Sequence, residues 1–275
     1  MIPQDIRNEI LLRLRKAEVE HDIRILLAIE SGSRAWGFAS PNSDYDVRFI
    51  YMREPSWYQA VDLEERRNVI EYEIVDDIDL NGWDLRKALR LFWKSNPAFV
   101  EWIQSPITYI EQGDFRTQAL GMLSSIYSPV KGIYHYRSMA KTNYRGYLRD
   151  AVVPLKKYFY VLRPLLAARW VAKTGQAAPI EFEKLLSLLE NEPTVLSEVY
   201  KLLEQKRNSP ELGRAAAVPA LNEFIEAELN VEPLAVPKKS HSPQVIGQLN
   251  SVFHSMLHEY GGEFNHQVRQ STALE

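Results

Sequence analysis

The sequence predicts an α+β fold, in which a part that contains β-strands is followed by an all-helical part. Short β-branched runs alternate with helical patterns over about the first hundred residues, whereas the apolar spacing from Gln112 onward is helical throughout. A chain of 275 residues is long enough for two modest domains. We therefore predict a first domain at 1–107, a helical domain at 108–262 and a loose tail at 263–275.

The first domain is expected to open with an amphipathic helix and then to alternate strands with helices. Asp84 is a plausible cap for the helix that follows the last strand, and Asn96-Pro97 ends that helix. The region from Val69 to Leu80 is predicted as one or two strands, with Ile74 on the same face as its other apolar residues. The predicted elements are a helix at Pro3–Glu20, strands at Ile23–Ile29, Asp44–Tyr51 and Val69–Leu80, a helix from Asp84, and a short helix at Pro97–Gln104.

The second domain is predicted to consist of helices that mostly begin at or beside a proline, where the missing N–H costs little. Pro164 falls inside one of them and is expected to kink or split it. A loop is predicted at Glu232–Pro243. The predicted helices are Phe115–Tyr127, Pro129–Leu148, Pro154–Lys173, Ile180–Glu190, Thr194–Arg207, Pro219–Leu229 and Pro243–Tyr260.

Composition excludes several classes of function. The chain has no cysteine, so a disulfide framework, a thiolate zinc site and a thiol nucleophile are all excluded. No apolar stretch is long enough to span a bilayer, and the N-terminus lacks the apolar centre of a signal peptide. We expect a cytoplasmic protein without a membrane partner.

Charge is distributed unevenly along the chain. The segment from Lys131 to Gly175 holds ten Lys and Arg residues and one Asp, a net charge of +9, although the whole chain carries −3. Tyrosines are interleaved with these basic residues, a combination that suits a polyanion such as a triphosphate or RNA. A solvated helix face that balances the acidic remainder of the chain is the alternative explanation.

Two short motifs near the N-terminus indicate phosphate chemistry. Gly32-Ser33 follows a buried strand, and Asp44-Tyr45-Asp46 begins the next strand. The period of two along a strand places Asp44 and Asp46 on one face. Two carboxylates at that spacing can hold divalent cations, and Mg²⁺ prefers such oxygen ligands, with Mn²⁺ as an alternative. The order of strand, Gly-Ser turn, short helix and Asp-x-Asp strand favours a metal-dependent nucleotidyltransferase.

A site of this kind usually needs a third carboxylate from a neighbouring strand. Asp77 and Asp79 share one face of the predicted strand Val75–Leu80. We choose Asp79, because it lies nearer the end of the strand, where ligands collect in open α/β-type sheets. Asp77 remains the second candidate for metal binding.

The phosphates of a bound nucleotide are expected near the Gly-Ser turn. Gly32 allows close approach of the backbone, and the Ser33 hydroxyl and nearby N–H groups donate hydrogen bonds. Arg34 is near enough in sequence to neutralise phosphate charge. Arg48 shares the strand face of Asp44 and Asp46, so it places a cation beside the predicted metal ligands.

These motifs resemble the DNA polymerase β-like nucleotidyltransferase superfamily, in which Gly-Ser precedes Asp-x-Asp after a gap of several residues. More narrowly, the chain resembles the bacterial branch that is associated with RNA-ligase repair operons, and the likeness extends from about Ile23 to about Trp170. The matching segments are 30–37, 43–49, 82–89 and 156–160. The resemblance implies a small mixed sheet with helices, two Mg²⁺ ions, an NTP substrate and a helical domain that closes over the nucleotide. It assigns Asp44 and Asp46 to both metals, and Gly32 and Ser33 to the phosphates.

The basic helices then have a possible role in binding the nucleotide. Lys156, Tyr160 and Arg163 share one helical face, at i, i+4 and i+7. We expect Lys156 or Lys157 to contact the triphosphate and a tyrosine to stack on the base. The same positive surface can instead follow an RNA backbone.

The leading hypothesis is an enzyme that moves a nucleoside monophosphate from an NTP to an acceptor hydroxyl and releases pyrophosphate. An RNA 3′ end is one acceptor, beside a protein side chain or a small molecule. The alternatives are a nucleotide- or RNA-binding regulatory module without turnover and a toxin-like enzyme that modifies a protein. Glycosyltransferases also use Asp-x-Asp, but they place it after an extended nucleotide-binding half-domain, and only one helix and one strand precede it here.

Overall fold

The computed structural model describes residues 2–209, 213–231 and 243–271, with side chains described up to residue 259. It confirms the predicted α+β class: a five-stranded mixed sheet is built in the first half of the chain, and helices dominate the second half. The strands of this sheet are β1 (Arg24–Glu30), β2 (Tyr45–Met52), β3 (Val69–Glu71), β4 (Ile78–Asp84) and β5 (Thr108–Glu111).

The sheet has the strand order β3-β4-β2-β1-β5. The two central strands β1 and β2 are antiparallel, β2 and β4 are parallel, and the outer strands β3 and β5 are antiparallel to their neighbours. In the parallel pair, Asp46 lies opposite Asp79 and Ile50 lies opposite Trp83. This register places the beginnings of β2 and β4 side by side.

Helices cover the two faces of the sheet. On one face, Ile10 and Leu14 of α1 pack with Val47 and Phe49 of β2. The other face packs against helices α3, α4 and α5 and against the C-terminal helix α11 (Pro243–Ser271). The helices of this half are α1 (Gln4–His21), α2 (Gly32–Ala35), α3 (Leu85–Trp93), α4 (Pro97–Gln104) and α5 (Phe115–Ile126), and a 3-10 turn spans Pro55–Gln59.

Side chains cap two helix starts in this half, and the sequence predicted the first of them, Asp84. The Asp84 carboxylate accepts a hydrogen bond from the backbone N–H of Arg86, and the Asn96 side chain accepts one from that of Phe99. Both caps satisfy a backbone donor that the helix itself leaves unpaired.

The second half of the chain builds its own core around α7, which packs mainly on α6. Its helices are α6 (Pro129–Tyr147), α7 (Lys156–Thr174), α8 (Phe182–Leu186), α9 (Pro193–Asn208), α10 (Pro219–Asn230) and α11 (Pro243–Ser271), with a 3-10 turn at Ser187–Leu189. Pro164 lies inside α7 without splitting it, because the helix continues through the proline to Thr174.

Several expectations need correction. Strand β5 pairs with β1, so the sheet extends past the predicted boundary at 107. The predicted all-helical part contains a two-stranded ribbon of β6 (Val152–Pro154) and β7 (Arg214–Ala216). Ile74 is 61% exposed, since it lies in the connection between β3 and β4 rather than on a strand face.

The C-terminal region also differs from the prediction. Helix α11 runs to Ser271, where a loose tail was expected from 263, and its side chains at Val245, Leu249 and Met256 return to the core of the first half. The loop predicted at 232–243 lies outside the described residues, apart from the helical Pro243. Within the described part of the chain, no helix is both long and apolar enough to cross a bilayer.

Candidate functional site

The Gly-Ser turn packs directly against the Asp-x-Asp strand. Gly32 has a φ of +57°, and a Cβ added to it would lie 1.8 Å from Oδ2 of Asp46. The backbone N–H of Ser31 donates a 2.8 Å hydrogen bond to the carbonyl of Asp46. Glycine is therefore required at position 32 for two reasons, its left-handed backbone and its contact with the carboxylate.

Three of the predicted site residues meet where β2 and β4 begin. Nη2 of Arg48 lies 3.1 Å from Oδ1 of Asp46 and 2.7 Å from Oδ2 of Asp79, and Nη1 donates to the Asp79 carbonyl at 2.9 Å. All three side chains are partly buried. One guanidinium thus joins two carboxylates that come from neighbouring strands.

The other two predicted carboxylates lie outside this cluster. Asp44 is exposed and precedes β2. Asp77 is exposed in the turn before β4, with a φ of +60°, and its carbonyl accepts a 2.7 Å hydrogen bond from the N–H of Tyr45. Of the two candidates for a third ligand, the structure places Asp79 beside Asp46. Asp79 lies at the start of β4 and not near the end of a strand, so the reason for which it was chosen was wrong.

The electrostatics of Asp46 favour a cation at this point. Burial raises the pKa of Asp46, the Arg48 guanidinium opposes that rise, and the nearby Asp79 and Asp44 add to it. Carboxylates this close repel each other unless a positive charge compensates. Among the described residues, no three His, Cys, Asp or Glu side chains are grouped to hold a metal ion as they stand, and Arg48 supplies the compensating charge.

Glu30 is a residue of the site to which the sequence analysis assigned no role. It is fully buried at the end of β1, where it accepts hydrogen bonds from the backbone N–H of Asp46 at 3.0 Å and from the Tyr109 hydroxyl at 2.6 Å. Burial raises the pKa of Glu30 to about 7. The signal in the sequence is an acidic residue that ends an otherwise apolar strand. Glu30 fixes the start of β2, and with it the position of Asp46.

Arg34 has a different position from the one expected. Its guanidinium donates to the carbonyls of Asp44 and Ser43 and lies 3.9 Å from the centre of the Tyr45 ring. Arg34 belongs to α2 and therefore fixes the loop that contains Asp44 to this helix. It does not line the cavity described next.

A cavity of about 300 Å³ opens beside Asp46. Helix α7 contributes Lys156 and Tyr160 to its wall, and α9 contributes Lys206. Burial raises the pKa of Tyr160, and the charge of Asp46 adds to that rise, so the phenol lies near the carboxylate. The full lining is Ser33, Phe38, Ser40, Asn42, Ser43, Asp44, Asp46, Lys156, Tyr160 and Lys206.

Lys206 was not predicted, because no local pattern distinguishes this lysine in a helix 160 residues after Asp46. Lys157, which was predicted to bind the nucleotide, lies outside the cavity wall. The Lys157 Nζ is 4.0 Å from the centre of the Tyr147 ring and 4.7 Å from that of Tyr160.

Arg163 does not face the cavity, and its expected contact with phosphate is not supported by its position. Its side chain is 3% exposed and forms an ion pair with Glu101 at 3.1 Å. It also lies 4.5 Å from the centre of the Trp36 ring. The helical spacing that placed it with Lys156 and Tyr160 was sound, but Glu101 of α4 and Trp36, which follows α2, contact the Arg163 side chain.

Comparisons with known proteins identify the family of this chain. The model of the RNA repair pathway DNA polymerase beta family matches residues 6–255. A protein of Bacillus subtilis (strain 168), named Uncharacterized protein YcgL, is 40% identical over 255 residues, which make up 92% of this chain and 97% of the relative. In the crystal structure of a nucleotidyltransferase-like protein from Exiguobacterium sibiricum 255-15, the match is 13% identical, covers 95% of this chain and 80% of that protein's chain, and has a TM-score of 0.28. The extent of the family match and the identity with the Bacillus subtilis protein lead to one conclusion: this chain belongs to the RNA repair pathway DNA polymerase beta family.

Proposed function

We propose that the protein is a divalent-metal-dependent nucleotidyltransferase, which moves a nucleoside monophosphate from an NTP to an acceptor hydroxyl. The observation that carries the proposal is the pairing of Asp46 with Asp79 across β2 and β4, beside a turn in which Gly32 leaves room for the carboxylate. The adjoining cavity carries two lysines and is of the size that small ligands occupy.

In the proposed reaction, the oxygen of the acceptor hydroxyl forms a bond to the α-phosphorus of the NTP. The bond from that phosphorus to the bridging oxygen of the β-phosphate breaks, pyrophosphate leaves, and the hydroxyl proton is released. Catalysis of such a transfer consists mainly of positioning and charge neutralisation. Lys156 and Lys206 neutralise charge on the triphosphate, and the Ser33 hydroxyl donates a hydrogen bond to it. The ring of Tyr160 stacks on the base.

A metal ion fits the chemistry of the donors. Asp46 and Asp79 would hold Mg²⁺ or Mn²⁺ through carboxylate oxygens, and Asp44, which lines the same cavity as Asp46, would join them when the ion is bound. When bound, the metal would neutralise phosphate oxygens and lower the pKa of the acceptor hydroxyl. The buried Glu30 keeps the backbone of Asp46 in place through its hydrogen bond.

The position of Arg48 favours a second candidate function. Its guanidinium already neutralises Asp46 and Asp79, which suits a module that binds nucleotide or RNA without turnover. The two functions differ in one measurable respect, because only the enzyme consumes NTP and releases pyrophosphate.

The test is transfer of label from each of the four α-³²P-labelled NTPs, with Mg²⁺ or Mn²⁺. The acceptors are RNA with a free 3′-hydroxyl, total cell protein and small-molecule extract. The wild-type protein is expected to label one acceptor class and to release pyrophosphate, and Asp46→Asn and Asp79→Asn are expected to abolish both. The matched control is Asp77→Asn, which removes an exposed carboxylate in the adjacent turn and keeps a residue type that tolerates positive φ.

Transfer that survives in Asp46→Asn would refute the assigned site. If no acceptor is labelled while NTP binds and depends on Lys156, the regulatory module is the correct function. Loss of transfer in Asp77→Asn with retention in Asp79→Asn would exchange the roles of these two residues.

A further inference from the structure

The basic segment 131–175 separates in the structure into cations that stabilise the fold and cations that do not. Arg137 donates to the backbone carbonyls of Glu228, Leu229 and Val231 at the end of α10. Arg169 forms ion pairs with Glu192 and Glu228. Together with the buried Arg163, these arginines tie α6 and α7 to the surrounding helices and are not available to a ligand.

A second group of cations is exposed. Lys141, Arg145 and Arg149 follow one another at intervals of four residues along α6 and just beyond its end. They line a depression of about 250 Å³ with Tyr144, Glu226, Leu229 and Asn230. Tyr134, which is 62% exposed, precedes Lys141 by two helical turns and so lies on the same side of α6. We name Tyr134, Lys141, Arg145 and Arg149 the α6 strip.

The cations of the α6 strip have no ion pair with any residue that the structure describes. Glu226 is the acidic residue in the depression, and its carboxylate accepts a hydrogen bond from the Tyr144 hydroxyl. Exposed basic residues elsewhere do pair with acids, as Arg67 does with Glu71 and Lys184 with Glu181. The strip is therefore a place where positive charge is left uncompensated by the described part of the fold.

This arrangement suits a polyanion with repeated charges. Like charges at i and i+4 on a helix destabilise it slightly, so an anion that spans them is favoured. Four residues of helix advance the chain by about 6 Å from Lys141 to Arg145, and Arg149 follows in the bend just beyond the helix end, so the strip presents separate charges rather than a single point. A single-stranded nucleic acid combines repeated phosphates with bases that stack on exposed aromatic rings such as Tyr134.

The end of α6 is also close to the cavity. Lys157 lies between the ring of Tyr147, near the end of α6, and the ring of Tyr160, in the cavity wall. Tyr147 is 45% exposed and Tyr160 is 39% exposed, so both residues are partly buried and partly open to solvent. Tyr147, Lys157 and Tyr160 thus form a row of neighbouring side chains from the end of α6 to the wall of the cavity.

We propose that the α6 strip binds the backbone of single-stranded RNA, and that the bound strand supplies the acceptor hydroxyl to the cavity. The second half of this statement rests on the proposed function, whereas binding of RNA to the strip does not. Lys141, Arg145 and Arg149 contact phosphates, and Tyr134 stacks on an unpaired base.

The test is fluorescence anisotropy with a labelled single-stranded RNA of 20 nucleotides, at several salt concentrations. The strip variant is Lys141→Ser/Arg145→Ser/Arg149→Ser. The matched control is Arg67→Ser/Lys184→Ser/Lys201→Ser, which removes the same charge from three exposed residues that are ion-paired. Circular dichroism and thermal melting verify that both variants fold.

The strip variant is expected to bind RNA at least about tenfold more weakly. The slope of its plot of log K against log salt concentration should be smaller in magnitude by about 2, the value for three lost phosphate contacts to a single strand. The control should bind like the wild type. Tyr134→Ala should weaken binding about fivefold, and Tyr134→Phe should restore it, because stacking needs the ring and not the hydroxyl.

Equal losses in the strip variant and the control would overturn the proposal, because net charge alone would then explain the binding. Stronger competition by polyglutamate than by RNA of equal charge would also overturn it and would assign the strip to an acidic protein partner. Affinity for a non-hydrolysable NTP analogue should not change in the strip variant. If RNA binds through the strip but no label is transferred from any NTP, the proposed function fails and the strip stands.

Discussion

Replacement of Gly32 by alanine tests the contact between the Gly-Ser turn and the Asp-x-Asp strand. The new Cβ would lie 1.8 Å from Oδ2 of Asp46, far inside van der Waals contact, so the carboxylate must move. The φ of +57° adds a backbone cost of about 1–2 kcal/mol for an L side chain. Two effects are thus expected, one on stability and one on the site.

Gly37 provides the control that separates them. Its φ is +87°, and a Cβ added to it meets nothing within 4 Å. Gly37→Ala should therefore lose about 1–2 kcal/mol of unfolding free energy from backbone strain and keep the site intact. Gly32→Ala should lose at least as much stability and, in addition, bind Mn²⁺ about 10–100-fold more weakly, the usual cost of disturbing a ligand's support.

Urea denaturation measures the stability of both variants, and isothermal titration measures their affinity for Mn²⁺. The reasoning is refuted if Gly32→Ala binds Mn²⁺ like the wild type. It is equally refuted if Gly37→Ala loses as much metal affinity as Gly32→Ala, because strain alone would then account for the effect.

Three further perturbations test the electrostatics of the molecule. Arg48→Met removes the cation that bridges the carboxylates of Asp46 and Asp79. Because this charge competes with a metal ion near the surface, the variant should bind Mn²⁺ about tenfold more tightly by isothermal titration. Unchanged or weaker affinity for Mn²⁺ would contradict this. Arg163→Met leaves the buried Glu101 without its ion-pair partner and should lower the free energy of unfolding by about 3–5 kcal/mol, measured by urea denaturation. A raised KM for NTP without lost stability would instead support the contact between Arg163 and phosphate that the sequence predicted. Burial raises the pKa of Asp84, so the folded state holds the proton of this carboxyl group more tightly than the unfolded state. The stability gained from the bound proton is present at low pH and is lost as the pH rises through the pKa of the folded state. Relative to the wild type, Asp84→Asn should therefore become more stable as the pH rises above about 4, measured by urea denaturation, and a difference that stays constant with pH would show that the shift is absent.

Much of the fold follows from local patterns. The helices α1, α3, α4 and α6 begin within two residues of their predicted starts, because caps, prolines and apolar spacing act over a few residues. The family resemblance is confirmed by the match over residues 6–255. The ribbon of β6 and β7 was missed, since three-residue strands give no periodicity and pair across some sixty residues of chain.

The sequence by itself determined the α+β class, the family, and the turn and strand that carry Gly32 and Asp46. These depend on residue types at short spacing, which are visible without the fold. Only the tertiary structure decided which acidic residue lies beside Asp46, because the parallel register of β2 and β4 brings Asp79 opposite it and leaves Asp77 in a turn. It also decided that Lys206 reaches the cavity and that Arg163 does not, since burial depends on which distant helices pack over each turn of α7.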